Sequence, residues 1–278
     1  GIQVDNDTQL AFTMTGGSIS DFQKNATVFN NADLNVTGVT ITGGGAQTII
    51  AQNGIQVLNS TGTISGNTIT AIGYAGPAPA YSGMILAYGN TNLDITGNTI
   101  TGPNTGAVIP AVKTDGIFVL DFGTDNSGGS ITGNTISYVD EGIDVSGDVQ
   151  PNGILIENNT VSNLDTTDTY VAGIYHDPTG TFTTVFDVDG TAADDFLAGA
   201  AGADTLAGLD GDDVIEGRAG TDNLSGGAGA DVFLVSTPSH HSATETIVGG
   251  TEEDAIRFTS TTATDTLVLS ANVSGVEI

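Results

Sequence analysis

The chain has 278 residues, including 40 glycines, 33 acidic and 4 basic side chains, and no cysteine or tryptophan. Its formal net charge of −29 excludes nucleic acid and anionic membrane surfaces as partners, because like charges repel. The absence of cysteine excludes disulfides, and no stretch approaches the roughly 20 apolar residues of a membrane span.

A unit of about 30 residues recurs through the first 177 residues. Each copy carries two short strands, and such a unit buries little alone, so stacked copies must share a core. One strand begins at a glycine. The other follows an asparagine and contains an aliphatic residue with Thr or Ser on each side. We expect the aliphatic to point inward, its neighbours outward, and the asparagine to pair with that of the next coil. The glycines are Gly54, Gly83, Gly116, Gly142 and Gly173, and the aliphatics are Ile69, Ile100, Ile136 and Val161.

These motifs resemble the right-handed parallel β-helix family, including pectate-lyase-like proteins, over residues 1–180. The resemblance predicts an all-β solenoid. This architecture does not indicate a particular reaction or ligand. We expect this helix to continue into a parallel β-roll at residues 181–234 and to end in a short β cap at residues 235–278.

From residue 190 the period changes to nine. Five units follow without a gap, each with glycine first, aspartate sixth and an apolar residue eighth. Carbonyl and carboxylate oxygens without Cys or His are the ligands of a hard, flexible cation, which favours calcium over zinc. The first residues are Gly190, Gly199, Gly208, Gly217 and Gly226, and the sixth are Asp195, Asp204, Asp213, Asp222 and Asp231.

These nonapeptides resemble the RTX family, whose calcium-bound β-roll places two nonapeptides in each coil. The resemblance implies about three or more Ca²⁺ ions, held between the turns that begin at Gly190 and Gly208, Gly199 and Gly217, and Gly208 and Gly226. Asp210 and Asp212 join the ten repeat residues above as candidate ligands. The RTX resemblance also implies type I secretion from a Gram-negative bacterium, with an uncleaved signal at the C-terminus. Consistent with this expectation, the sequence shows no N-terminal signal-peptide pattern.

A weaker resemblance links the chain to mannuronan C-5 epimerases, which pair a β-helix with RTX modules. Lys113, Asp115 and Asp144 match parts of that family's motifs, but Glu141 and Ser146 stand where its tyrosine and histidine belong. His176 is a further weak catalytic candidate. Lys113 is the only base between residues 25 and 217, which disfavours an enzyme acting on acidic sugars.

The sequence therefore predicts a secreted or cell-surface structural protein of the surface-layer, filament or adhesin type, folded and rigidified by calcium. Expected partners are calcium, copies of the chain stacked end to end or side by side, and extracellular polysaccharide. A polysaccharide-modifying enzyme, of the uronan epimerase or lyase type, or its inactive relative is the second interpretation. The third is an ice- or glycan-binding module that uses an outward ladder running from Thr68/Thr70 to Thr160/Ser162.

Overall fold

The computed structural model describes residues 1–76, 82–103, 114–120, 126–148, 154–164, 172–179, 187–199 and 201–277. Within these ranges the chain is almost entirely β-strand, and successive coils pair in parallel. One 3₁₀ turn, Pro238–His240, is the only helical segment of the described part, and no helix there could span a membrane.

Three faces, each a ladder of parallel strands, form the wall of the solenoid. The long strands β1 (Ile2–Thr15) and β3 (Asn25–Thr37) bend to contribute to the first two faces. The first face continues through β5 (Asn53–Leu58), β8 (Ser82–Tyr88), β11 (Thr114–Leu120), β14 (Glu141–Asp148), β17 (Ala172–Thr179), β19 (Phe196–Ala198), β21 (Val214–Glu216), β23 (Val232–Val235) and β25 (Ala255–Phe258).

The second face continues through β6 (Thr61–Ser65), β9 (Thr91–Thr96), β12 (Ser127–Thr132), β15 (Leu155–Glu157), β18 (Asp187–Asp189), β20 (Thr205–Asp210), β22 (Asn223–Ala228), β24 (Thr246–Thr251) and β26 (Val273–Ser274). The third face is shorter. It contains β2 (Ser18–Ser20), β4 (Thr40–Gln47), β7 (Thr68–Tyr74), β10 (Thr99–Thr101), β13 (Thr135–Ser137) and β16 (Thr160–Ser162).

The core is a stack of aliphatic side chains from all three faces, one layer per coil. Alternate residues of each strand point inward, because successive side chains leave opposite sides of a strand. On the third face the predicted inward residues are confirmed, since Ile69, Ile100, Ile136 and Val161 are all buried.

The register of the first face differs from the predicted alignment at one coil. Ile55 pairs with Ile85, so Met84 rather than Gly83 stands opposite Gly54. A shift of one residue would turn Ile85 out of the core, and burial of this side chain decides the register. The expectation that Gly83 occupies the glycine position was wrong.

Asparagines form a buried ladder at the turn before the third face, as predicted. The side chain of Asn67 donates to Oδ1 of Asn98 at 2.9 Å, and the same bond joins Asn98 to Asn134 and Asn134 to Asn159 at 3.0 Å. Each Oδ1 also accepts the backbone N–H of the preceding asparagine. Because an amide both donates and accepts, the ladder satisfies itself.

The third face has no described strand after β16, whereas the first two faces continue into the roll. Ile156 of β15 pairs with Val188 of β18, and Tyr175 of β17 pairs with Phe196 of β19. The rings of Tyr175 and Phe196 stack with their centroids 5.1 Å apart. Helix and roll therefore share a continuous wall.

In the roll, equivalent residues of successive coils are 18 positions apart, so each coil holds two nonapeptides as the RTX resemblance implied. The same pairing continues past residue 234, with a step of 23 residues into β24 and β25 and of 26 residues into β26. The chain is a parallel β-helix that continues into a β-roll. Parallel pairing crosses the boundaries predicted at residues 180 and 234, and that division into domains stays a prediction.

Candidate metal centre

The sixth-position aspartates form two buried rows along the edges of the roll. One row contains Asp195, Asp213 and Asp231, and the other contains Asp204 and Asp222. In each step Oδ1 of one aspartate accepts the backbone N–H of the aspartate one coil earlier, at 2.8–2.9 Å. All five are nearly inaccessible, with Asp213 only 1% exposed. The asparagine ladder has the same bond from a backbone N–H to Oδ1 of the next coil, but here the acceptor is a carboxylate.

The second carboxylate oxygen sets three of these aspartates apart. Among the described residues, Oδ2 of Asp213, Asp222 and Asp231 is buried without a hydrogen bond. A carboxylate is an acceptor only and cannot satisfy itself as an amide ladder does. Burying such an oxygen without a compensating contact is unfavourable, so each of these three carboxylates calls for a positive partner.

The first residue of each nonapeptide makes room for that oxygen. A Cβ added at Gly208, Gly217 or Gly226 would lie 2.0, 2.6 or 2.1 Å from Oδ2 of the aspartate in the same unit. Carbonyl oxygens of the following coil approach the same points, such as that of Gly226 at 2.7 Å from the Cβ position of Gly208. Only glycine leaves carboxylate and carbonyl oxygens facing a common space here.

Burial raises the pKa of these carboxyl groups strongly. Loss of solvation raises the pKa of Asp213 to about 8, of Asp195 and Asp222 to about 7, and of Asp231 to about 6. The neighbouring aspartates of each row raise it further, because their charges repel. Without a cation, these four carboxyl groups ionise less readily than an ordinary aspartate.

The donor set fits calcium. No group of three His, Cys, Asp or Glu side chains converges among the described residues, so other oxygen ligands, such as backbone carbonyls or water, would have to complete the coordination shell. Calcium accepts six to eight oxygen ligands in flexible geometry, including backbone carbonyls. When bound, the ion supplies positive charge to the unpaired carboxylate oxygens, while the chain's own residues set the spacing of the rungs.

Two of the predicted ligands lie elsewhere. Asp210 and Asp212 are exposed on the outer side of the turn. Oδ1 of Asp212 accepts the N–H of Ala230 at 2.8 Å, and its own N–H donates to Asp194 at 3.0 Å. The structure does not bring them into the buried rows, and their assignment as ligands stays a prediction.

Coils with two strand faces and buried rows of aspartate define a metal-binding β-roll. Comparison with known families supports this class of protein. Residues 189–224 and 199–233 match the family model of the RTX calcium-binding nonapeptide repeat, which contains four copies. The repeats of this chain are therefore RTX repeats, and they bind Ca²⁺. No curated protein and no solved structure matches the chain.

Sequence reasoning missed Asp254, which lies in the buried row that contains Asp231. Its backbone partner is the N–H of Asp231, at 2.9 Å from Oδ1. The signal was present, because Gly249, Gly250, Asp254 and Ile256 occupy positions one, two, six and eight of a nonapeptide. The intervening 23-residue step hid this unit from a search for an unbroken period.

The weak catalytic candidates are only partly placed. Lys113 lies outside the described residues, and so does the side chain of His176. Asp115 and Asp144 are buried on the adjacent strands β11 and β14, where Asp144 stands opposite Phe118 and Asp115 opposite Glu141. The two carboxylates are therefore offset along the strands.

Proposed function

We propose that the protein is a calcium-dependent extracellular protein of a structural or cell-surface type, such as a surface layer, filament or adhesin. The observation that supports this proposal most is the in-register burial of carboxylates whose second oxygen has no partner among the described residues. A fold held by such rungs is stable only where calcium is abundant.

Export gives this dependence a use. In the cytosol, where calcium is scarce, the acidic repeats repel one another and remain unfolded, which suits passage through a type I system. Outside the cell, calcium neutralises the rows and the roll stacks against the helix. The net charge of −29 also favours calcium bridges between molecules, and hence assembly of copies of the chain or contact with polysaccharide.

Circular dichroism combined with sedimentation tests this proposal. We expect β content to fall in metal-free buffer at low salt and to return in millimolar calcium. Calcium should also produce species that grow with protein concentration. Full β content after complete removal of metal would rule out calcium-driven folding, and a monomer at all calcium and protein concentrations would rule out assembly.

A second candidate function, binding to ice, is favoured by the outer surface of the third face. Two rows of Thr and Ser hydroxyls run along it in register, as in Thr68↔Thr99↔Thr135 and Thr70↔Thr101↔Ser137. Their buried neighbours fix the side-chain directions. The hydroxyls repeat at about 4.8 Å between strands and about 6.6 Å along a strand, a regular grid of donors, acceptors and methyl groups that can order water.

Inhibition of ice recrystallisation in calcium tests this second candidate. Thr99→Tyr places a large ring in the middle of the grid and should remove most of the activity. Thr91→Tyr, at an exposed position on the second face, is the matched control and should retain it. An inactive parent protein, or equal activity in both variants, contradicts ice binding.

A further inference from the structure

The coil that follows the RTX repeats places a new turn directly beneath the last repeat. Gly227 pairs with Gly250 on the second face, and Val232 pairs with Ala255 on the first face. Residues 226–231 and 249–254 therefore form stacked turns of equal length. The five extra residues of this coil lie on the opposite edge, in the segment that contains the 3₁₀ turn Pro238–His240.

Asp254 reproduces the geometry of the repeat aspartates. It is 0% exposed, its Oδ1 accepts the N–H of Asp231 at 2.9 Å, and its Oδ2 has no hydrogen-bond partner among the described residues. A Cβ on Gly249 would lie 2.4 Å from that oxygen, compared with 2.1 Å for Gly226 and Asp231. This is a fully buried acceptor aimed into a space that only glycine leaves open.

Further carboxylates surround this turn. Glu252, with φ of 74°, stands where the repeats have glycine, and its Oε2 accepts the N–H of Gly229 at 2.9 Å. Oε2 of Glu277 accepts the N–H of Asp254 at 2.8 Å, which adds another acidic rung to the row. Negative charge accumulates here, and among the described residues no basic side chain forms an ion pair with Asp254, in contrast to the opposite edge.

On the opposite edge, the protein itself supplies partners for the carboxylate of the last coil. Glu245 takes the place of Asp222 in the next coil, because Asn223 pairs with Thr246. Its Oε1 lies 2.9 Å from Nδ1 of His241, and both side chains are buried. Its Oε2 accepts the N–H of Ser242 at 3.2 Å. Both oxygens of Glu245 have partners, whereas one oxygen of Asp254 does not.

We propose that residues 249–254 form an additional calcium site with residues 226–231, in which the carboxylates of Asp231 and Asp254 hold the ion together with backbone carbonyl oxygens. The second of these turns lies beyond the residues that match the RTX family, which end at 233. It extends the calcium row along one edge only and makes the C-terminal strands calcium-dependent. The inference rests on the calcium-bound roll of the proposed function.

Calcium stoichiometry of the full chain tests the site. Asp254→Asn preserves shape and the acceptor for Asp231 but removes the charge, so the variant should bind one ion fewer or bind one ion at least tenfold more weakly. Glu253→Gln removes an exposed carboxylate of the same turn and should bind as many ions as the parent. Equal numbers and affinities in Asp254→Asn and the parent overturn the inference.

Hydrogen exchange of the unaltered protein covers the case in which the variant does not fold. We expect residues 246–258 to gain protection over the calcium range that protects residues 205–233. If only residues 205–233 gain protection, the additional site is wrong while calcium binding by the repeats stands. If the parent binds no calcium at all, the proposed function itself fails.

Discussion

Asn134 and Asp213 make the same hydrogen bond in different parts of the solenoid. The N–H of Asn134 donates to Oδ1 of Asn159, and the N–H of Asp195 donates to Oδ1 of Asp213 in the same way. The difference lies in the second polar atom, because the amide nitrogen of Asn134 donates to Ile95 and Asn159, whereas Oδ2 of Asp213 has no partner among the described residues. Exchanging an amide for a carboxylate turns a self-sufficient ladder into one that requires a cation.

Asp213→Asn should weaken two calcium ions, because its turn is shared by two adjacent pairs of coils. The amide keeps the acceptor for Asp195 but lacks the negative charge, and we expect roughly tenfold or greater loss of affinity at each ion. Calcium titration by calorimetry measures this. Asp194→Asn, an exposed neighbour in the roll, is the control and should leave both affinities unchanged. Unaltered binding in Asp213→Asn would show that the ions are paired differently.

Stability of the calcium-free protein should fall as pH rises, the reverse of the usual behaviour of aspartate. Folding raises the pKa of Asp195, Asp213, Asp222 and Asp231 to about 6–8, so the folded state binds more protons than the unfolded state. This stabilisation is fully present below the unfolded pKa of 3.8 and is lost as pH rises through 6–8.

Thermal unfolding of resin-stripped protein between pH 4 and pH 8 measures this dependence. The midpoint should drop across the range, and the drop should be smaller in Asp213→Asn. With saturating calcium the trend should reverse, because binding requires deprotonated ligands. A midpoint that rises steadily with pH in the absence of metal contradicts the raised pKa values.

At the scale of the strand and coil, periodic residues could be predicted and insertions could not. Ile69, Ile100 and Ile136 were placed inward because alternation leaves one choice, and the nine-residue spacing identified Asp195 to Asp231 because no loop interrupts it. Spacing between strands sums every intervening residue, so it fails where a loop changes length. The turn at residues 249–254 was missed for this reason, whereas the Met84 register was missed because the alignment followed Gly83, which lies one residue before the position opposite Gly54.

The asparagine ladder should be an important source of stability for the helix coils. Asn134→Ala removes bonds to Ile95, Asn98 and Asn159 and leaves their buried polar groups unsatisfied, which should cost about 3 kcal/mol. Urea unfolding at fixed calcium concentration measures this loss. Thr135→Ala, at the exposed adjacent position, should change stability by less than about 0.5 kcal/mol. Similar effects of the two substitutions would show that the ladder does not stabilise the helix coils.

Across the whole molecule, the calcium-bound roll covers the end of the helix. The N–H of Gly173 donates to the carbonyl of Asp194 at 2.9 Å, and the N–H of Ile174 donates to the carboxylate of Asp195. In a solenoid each coil contacts only its neighbours, so loss of the roll should loosen the adjacent coil most and distant coils little.

Hydrogen exchange with and without calcium measures how far this effect extends. We expect chelation to accelerate exchange in β17 (Ala172–Thr179) and to leave β7 (Thr68–Tyr74) and β10 (Thr99–Thr101) protected. Equal protection of β17 in both conditions would show that the helix end is stable alone. Loss of protection throughout the helix would show that calcium controls one cooperative unit.

The parallel pairing of successive coils has a mechanical consequence. Hydrogen bonds between coils run along the long axis, so a pull on opposite ends of the solenoid loads the coil interfaces one after another, like links in series. In such an arrangement the weakest interface sets the tensile strength. Where the chain bears tension, the concentration of free calcium at its surface would therefore set the force at which it opens.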